Sequence, residues 1–363
     1  MSFYRSIIRP ILFKMPTETA HEFGLKALKT GLSAPFLQKN FARRFQCEEF
    51  GEIERFGLKF KNPFGVAAGF DKNAEVAVQL AALGFGFIEV GTVTLKPQPG
   101  NPKPRLFRLP ADEALINRAG FNNDGTPTVV ERLKKSRPNV PLGVNIGKNK
   151  DVPNEEAVEN YLESFDLAFP VADYIAVNVS SPNTPNLREL QKAENLEELL
   201  KSLQKRNSEL GGKPLLVKIA PDLSEAEIEA VTDICLRLEL SGIIATNTTV
   251  SRENLKTEKA EIERIGAGGL SGKPLSARST EVISKIYRYS NGKLPIVGVG
   301  GIFSAADAFE KICAGASLLQ AYTGFVYHGF TFARDVNFGL AKILREKGFN
   351  SIDEAVGVKS HES

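Results

Sequence analysis

From about residue 60 onward, short runs of apolar and β-branched residues alternate with longer stretches whose apolar positions recur at helical spacing. That alternation is the pattern of βα units feeding a parallel sheet. Eight runs qualify as strands: 66–68, 88–90, 142–146, 174–179, 215–219, 242–246, 296–299 and 318–321. Amphipathic stretches at 75–83, 194–210, 225–240 and 305–314 predict helices between them. Eight strands favour an α/β chain folded as a closed (β/α)8 barrel of the TIM type. An open doubly wound sheet usually has fewer strands and a glycine fingerprint after the first. The interval 94–123, rich in proline and then in asparagine and glycine, is the largest insertion and is expected to overhang the catalytic face.

Ahead of the barrel the pattern changes. Phe3, Tyr4, Ile7, Ile8, Ile11, Leu12 and Met15 follow the spacing of a helical face, with Arg5, Arg9 and Lys14 off it. Pro16 and Thr17 end that element. Thr19 and Glu22 have capping-box spacing for a second helix carrying Ala20, Phe23, Ala27 and Leu28, which Gly31 would stop. Two readings stay open: a helical hairpin packed on the body as a lid, or a basic amphipathic pair lying in a membrane interface. The pattern divides the chain into a small N-terminal helical extension (1–45), a barrel (46–350) and a C-terminal tail (351–363).

Charge bears on that choice. The 363 residues carry a formal net charge of +3. Residues 1–45 hold eight basic side chains against Glu18 and Glu22, so this segment is +6 and the body is −3. A basic end on a mildly acidic body points to an anionic partner. A nucleic-acid-binding body would carry its own basic stripe, so no nucleic acid is expected. Cys47, Cys235 and Cys313 are too widely spaced for a disulfide framework or a paired-cysteine metal site. The three histidines, His21, His328 and His361, form no local cluster, so no metal is expected. No apolar run reaches the roughly 18 residues of a spanning helix.

A barrel puts its chemistry at the C-terminal ends of its strands. Here those ends read Asp71 and Lys72, Thr92, Asn145, Asn178 with Ser180 and Ser181, Lys218, Thr246 and Asn247, Gly300 and Gly301, and Tyr322 with Thr323. Asparagine is depleted in strands, and its recurrence at three strand ends implies a demand for paired donors and acceptors. Each lysine is open to three roles: a solvent-reaching side chain, a Schiff-base nucleophile of a barrel lyase, or a fixed cation beside an anionic ligand. The glycines of GVGGI at 298–302 precede a helical run. With the AYTGF segment after the eighth strand, they occupy the usual phosphate position of a barrel.

At this point six segments, in order, carry a resemblance. They are VAAGFDKN at 66–73, GTVTLKPQPGNPKPRLFRL at 91–109, INRAGFNN at 116–123, NVSSPNTPNLR at 178–188, VKIAPD at 217–222 and GGLSGKPL at 268–275. Together they resemble the dihydroorotate dehydrogenase family. The basic helical extension and a serine, Ser181, at the base position resemble its quinone-dependent, membrane-associated class 2. The resemblance implies FMN as cofactor, oxidation of (S)-dihydroorotate to orotate in pyrimidine (UMP) biosynthesis, a membrane quinone as acceptor, and no iron–sulfur partner subunit. It also implies a peripheral position on the cytoplasmic side of a bacterial inner membrane, an anionic surface.

Residue by residue, the resemblance implies FMN against Ala68, Gly69, Thr92, Asn145, Asn178, Lys218, Thr246, Ser271, Gly272, Gly301, Tyr322 and Thr323. It implies dihydroorotate against Lys72, Asn117, Arg118, Ala119, Gly120, Phe121, Asn178, Asn183, Asn247 and Thr248, with Ser181 as catalytic base. His21 and Arg108 match positions lining the quinone passage. Two departures from the family's pattern stand out: Ala119 where a larger residue is common, and Asn186 where glycine is. Asparagine tolerates the left-handed conformation, so the loop at 186 is expected to keep its turn.

Overall fold

A computed structural model describes residues 3–47 and 49–360. In chain order the strands are β1 (Ile53–Arg55), β2 (Leu58–Phe60), β3 (Phe64–Val66), β4 (Ile88–Val93), β5 (Leu106–Leu109), β6 (Ala114–Asn117), β7 (Leu142–Ile146), β8 (Tyr174–Asn178), β9 (Leu215–Ile219), β10 (Gly242–Ala245), β11 (Gly269–Gly272), β12 (Ile296–Val299) and β13 (Leu318–Ala321). The α-helices are α1 (Arg9–Phe13), α2 (Thr17–Gly31), α3 (Pro35–Phe45), α4 (Ala77–Ala82), α5 (Thr126–Lys135), α6 (Ala157–Ala168), α7 (Ala193–Glu209), α8 (Glu225–Arg237), α9 (Lys259–Ile265), α10 (Ser276–Tyr289), α11 (Ala305–Cys313), α12 (Thr323–His328) and α13 (Phe332–Glu346).

Eight of these strands close a parallel barrel in the order β3, β4, β7, β8, β9, β10, β12, β13, which is the expected (β/α)8 architecture. Every residue of β4, β7, β8, β9 and β10 is buried, as strands covered by helices outside and side chains inside must be. Gly143 shows how tightly the interior is filled. A Cβ there would lie 2.1 Å from the Tyr174 ring, so only glycine admits that ring. The first barrel strand ends at Val66 rather than beginning there, so the apolar run 66–68 marks its exit toward the site. The hairpin β1–β2 brings Phe60 edge-on to Phe87, at the entry to β4, with ring centroids 5.4 Å apart.

The insertion at 94–123 is not all loop. Its β5 and β6 pair antiparallel, and β11, some 150 residues away in sequence, completes a three-stranded sheet by pairing Gly269 with Asn117. Leu109, Ala114, Ile116, Ile265 and Leu270 give that sheet a small core of its own. Residues 351–360 fold back on the body: Ile352 and Ala355 are buried, and the Lys359 amide donates to the Cys313 carbonyl at 2.9 Å. His361 and the last two residues of the tail lie outside the described residues.

The extension has three helices rather than two. Helix α3 starts with Pro35 at its first turn, where the missing N–H costs nothing, so this proline opens a helix instead of breaking the chain. Helix α2 begins at Thr17 behind Pro16, and no capping box forms at Thr19. Glu22 instead reaches Lys103 at 3.3 Å, while Glu18 pairs with Arg105 at 2.8 Å, tying α2 to the barrel insertion. A π-helical stretch, Tyr4–Ile8, runs directly into α1, and the apolar stripe along them divides in two. Tyr4, Ile8 and Leu12 face a cavity, whereas Phe3, Ile7 and Ile11 project outward and join Phe23 and Phe36, with exposures from 50% at Ile7 to 71% at Phe36. Among the described residues no helix is long and apolar enough to cross a membrane. None of the His, Cys, Asp or Glu side chains described there group in a way that would hold a metal ion. All three cysteines are buried, and none forms a disulfide among the described residues.

Candidate active site

A cavity of about 450 Å³ opens at the C-terminal ends of the strands. Its wall brings together Ala68, Gly69, Lys72, Thr92, Asn178, Ser181, Lys218, Thr246 and Asn247 from the barrel and Asn117, Ala119, Gly120 and Phe121 from the insertion. Asn183, Thr248, Ser271, Gly272, Gly301, Tyr322 and Thr323 complete it. Two of the expected residues are elsewhere. Asn145 sits one layer beneath the cavity, fully buried. Arg118 turns away: its guanidinium donates to the carbonyls of Ile265 and Ala267 and lies 4.6 Å over the Phe107 ring. Its side chain fastens the insertion sheet.

The asparagines form one directed network. Glu89, buried on β4, accepts from the Tyr174 hydroxyl at 3.0 Å, the Gln320 amide at 2.7 Å and Asn145 Nδ2 at 2.9 Å. A carboxylate can only accept, so it fixes which way the Asn145 amide points. Asn145 Oδ1 then accepts from Thr92 Oγ1 at 2.5 Å, and Thr92 Oγ1 in turn accepts from Asn178 Nδ2 at 2.8 Å. Asn178 Oδ1 is left to accept from Asn247 Nδ2 at 3.3 Å. Above them Asn183 Nδ2 donates to Asn117 Oδ1 at 3.0 Å. Glu89 therefore orients the amides of Asn145, Asn178, Asn247 and Gln320, a role no local pattern announced.

Two lysines flank this network. Lys218 is 5% exposed, aligned in the ladder with Asn178, and has no hydrogen-bond acceptor among the described residues. Burial lowers its pKa, opposed by the charge of Glu89. Lys72 donates to Asn122 Oδ1 at 2.6 Å, and burial together with Arg105 pushes its pKa down to about 8, with Glu18 opposing. Ser181 is buried and its Oγ accepts the Asn183 amide at 3.3 Å. Three residues on, Thr184 Oγ1 is buried with no partner among the described residues. Asn186 has φ 55°, the left-handed turn expected of it.

A second, apolar cavity of about 370 Å³ lies between the extension and the barrel, lined by Tyr4, Ile8, Leu12, Phe13, Leu28 and Phe325 among others. His21, Phe70, Leu106, Leu115 and Tyr322 border both cavities. Burial and the nearby Lys72 charge push the His21 pKa down to about 4, so its imidazole is neutral at pH 7. Arg108 lies over the Phe13 ring at 4.6 Å and donates to the Phe13 and Met15 carbonyls, each at 3.0 Å. His328 lies between Phe303 and Phe332, with centroids 5.8 and 5.4 Å away.

A closed parallel barrel with an amide-lined cavity and two partly desolvated lysines at its C-terminal mouth is the architecture of a TIM-barrel enzyme. The comparisons narrow the class. Residues 52–344 match the family described as dihydroorotate dehydrogenase. A protein named dihydroorotate dehydrogenase (quinone) from Christiangramia forsetii is 54% identical over 348 residues, covering 95% of this chain and 99% of its own. Its namesake from Mycobacterium tuberculosis is 46% identical over 353 residues, 97% of each chain. The crystal structure of the Eimeria tenella enzyme in complex with ferulenol superposes with a TM-score of 0.87 at 38% identity, covering 95% of this chain and 96% of that one. The chain belongs to the dihydroorotate dehydrogenase family, whose members are flavin-dependent oxidoreductases.

Proposed function

We propose that this protein oxidises (S)-dihydroorotate to orotate, with FMN as the resident hydride acceptor and a membrane quinone as the final acceptor, in pyrimidine biosynthesis. The observation that carries the reading is the pair of contiguous cavities, one polar and one apolar, meeting at Tyr322 and His21. A flavin seated where they meet would contact a polar substrate on one side and an apolar oxidant on the other.

The residues present fit FMN. The backbone N–H groups of Gly300, Gly301 and Tyr322 have no acceptor among the described residues. Gly301 has φ +73°, and a Cβ there would lie 2.4 Å from Ser276, so the loop is open only as glycine. That set of free donors suits a phosphate. Lys218, a buried ammonium lacking an acceptor among the described residues, suits the electron-rich edge of an isoalloxazine, and Thr92, Asn178 and Thr246 supply further polar contacts. When bound, FMN accepts a hydride from the substrate and passes two electrons onward.

The chain's own residues do the remaining work. Lys72, Asn117, Asn183, Asn247 and Thr248 offer the charge and the paired amide groups that a ring amide and carboxylate require. Asn101 holds two substrate loops together, its Nδ2 donating to the carbonyls of Arg118 at 3.0 Å and Asn183 at 3.1 Å. Ser181 takes a proton from the substrate carbon. Because a serine is a weak base at its ordinary pKa, its own proton must leave as it does so, through a relay that carries it out of the site. His21 and Arg108 border the passage to the apolar cavity, through which the quinone enters. The outward-facing Phe3, Ile7, Ile11, Phe23 and Phe36, flanked by the basic residues of the extension, would sit in an anionic bilayer on the cytoplasmic side of an inner membrane.

Cofactor released from the purified protein is expected to chromatograph as FMN, and the protein to reduce a soluble quinone only when dihydroorotate is supplied. A protein without flavin, or a flavoprotein that ignores dihydroorotate, would refute the proposal.

A further inference from the structure

Lys311, on the inner face of α11, is among the most deeply buried side chains of the barrel, with no exposed surface. It lies outside the cavity wall, and nothing in the proposed chemistry uses it. Its ammonium donates to three neutral oxygens of α10: the Ser276 carbonyl at 3.3 Å, Ser279 Oγ at 3.1 Å and Thr280 Oγ1 at 3.1 Å. Among the described residues no carboxylate stands within ion-pair distance of it. A buried cation held only by neutral partners is expensive, and burial pushes its pKa down to about 7 against the opposing pull of Glu310 and Asp307.

The three oxygens belong to one helical turn, and that turn walls the glycine loop. Ser276 stands against Gly301, where an added Cβ would lie 2.4 Å from its Cβ and 2.8 Å from its amide nitrogen. Ser279 stands against Gly300 in the same way at 3.0 Å, and its hydroxyl donates to the Val299 carbonyl at 2.7 Å, immediately before the loop. Lys311 itself comes from the helix that follows the loop. It therefore clamps the chain on both sides of Gly300 and Gly301 to the turn behind them. It also puts a buried cation, without a carboxylate partner among the described residues, behind the Gly300 and Gly301 N–H groups, which have no acceptor there either.

We infer that Lys311 is a positioning residue for the flavin phosphate: it fixes the glycine loop so that its amides converge on one anion, and it lends that anion the field of a buried charge. This rests on the FMN reading above. A phosphate dianion on the open side of the loop would be the counter-charge that Lys311 lacks within the protein, and occupancy would stabilise the protonated lysine in return. The effect is specific to the phosphate, since Lys311 is outside the cavity wall and its bonds go only to the turn behind the glycine loop.

The test is a selectivity measurement on the holoenzyme. The protein is equilibrated with mixtures of FMN and riboflavin, and the bound flavins are separated and quantified. Wild type is expected to retain FMN strongly over riboflavin, with Lys311→Met lowering that preference at least 10-fold. The milder Thr280→Val, which deletes one acceptor with little change of volume, should lower it about 2- to 5-fold. Should K311M not fold, T280V decides. An unchanged preference in the variants, including the case where affinity for both flavins falls equally, would make the lysine a fold-stabilising residue only and overturn the inference. A wild-type protein that binds no flavin would instead remove the FMN reading itself.

Discussion

Replacing Lys218 with methionine should move stability and function in opposite directions. The ammonium is 5% exposed and lacks an acceptor among the described residues, so the fold carries a desolvation cost relieved only at a distance by Glu89. Methionine fills similar volume without that cost. Glu89 would lose a cation but keep its bonds from Tyr174, Gln320 and Asn145. Replacing buried charge by a well-packed apolar group is commonly worth about 1–4 kcal/mol. For a chain of this size that is a rise of roughly 1–5 °C in the melting temperature of the flavin-depleted protein. Flavin reduction should suffer, because the negative charge arriving at the flavin's pyrimidine edge loses its cation. Removing one such donor costs about 2.7–4 kcal/mol, or roughly 10²–10³ in rate. Stopped-flow reduction by dihydroorotate and calorimetry of the same preparation read the two effects. A variant that melts lower than wild type and reduces within about threefold of it would refute the reasoning on both counts.

Other outcomes follow from the same geometry. Ser181→Ala should retain its flavin yet lose roughly 10²–10⁴ in the rate of flavin reduction, the range for loss of a positioned base; near-normal reduction in a single turnover removes Ser181 from that role. Lys72 titrates at about 8 in the free protein, and an anionic ligand raises that value. Orotate affinity, followed by its perturbation of the flavin spectrum, should thus be full below about pH 8 and fall by up to tenfold per unit above it; a flat profile into the alkaline range counts against Lys72 as the carboxylate partner. Ile7→Asp with Ile11→Asp, both on the outward face, should weaken binding to phosphatidylglycerol vesicles by roughly 10² or more, given about 1.5–3 kcal/mol for each buried isoleucine. Flavin reduction by dihydroorotate in solution should be unchanged, and unaltered vesicle binding would contradict the membrane-facing assignment.

The barrel was legible because each strand is a short apolar run with a polar residue at its exit, a local signal strong enough to place six of the eight to within one residue and the start of a seventh, β4, which runs on to Val93. Phe64–Val66 slipped because its apolar run continues past the strand into the site. What escaped depends on long-range partners. The pairing of Gly269 with Asn117 turns an apparent loop into a sheet. Glu89 looked like an ordinary strand residue until Asn145, Tyr174 and Gln320 met around it, and Arg105 gained meaning only from Glu18 across the extension. The direction of the Arg118 side chain is another such case. Its place in the INRAGFNN segment put it at the substrate, but a side chain that long can leave its own loop, and the carbonyls of Ile265 and Ala267 draw it outward. The N-terminal apolar stripe holds two adjacent rows of residues spaced four apart, and spacing alone does not tell the row that faces the inner cavity (Tyr4, Ile8, Leu12) from the one that faces outward (Phe3, Ile7, Ile11).

The most direct test of the central claim is the visible spectrum of the purified protein, recorded anaerobically before and after dihydroorotate is added. The account predicts a bound flavin whose long-wavelength band bleaches with dihydroorotate and returns when a quinone is supplied. A flavin band that dihydroorotate leaves untouched would contradict it.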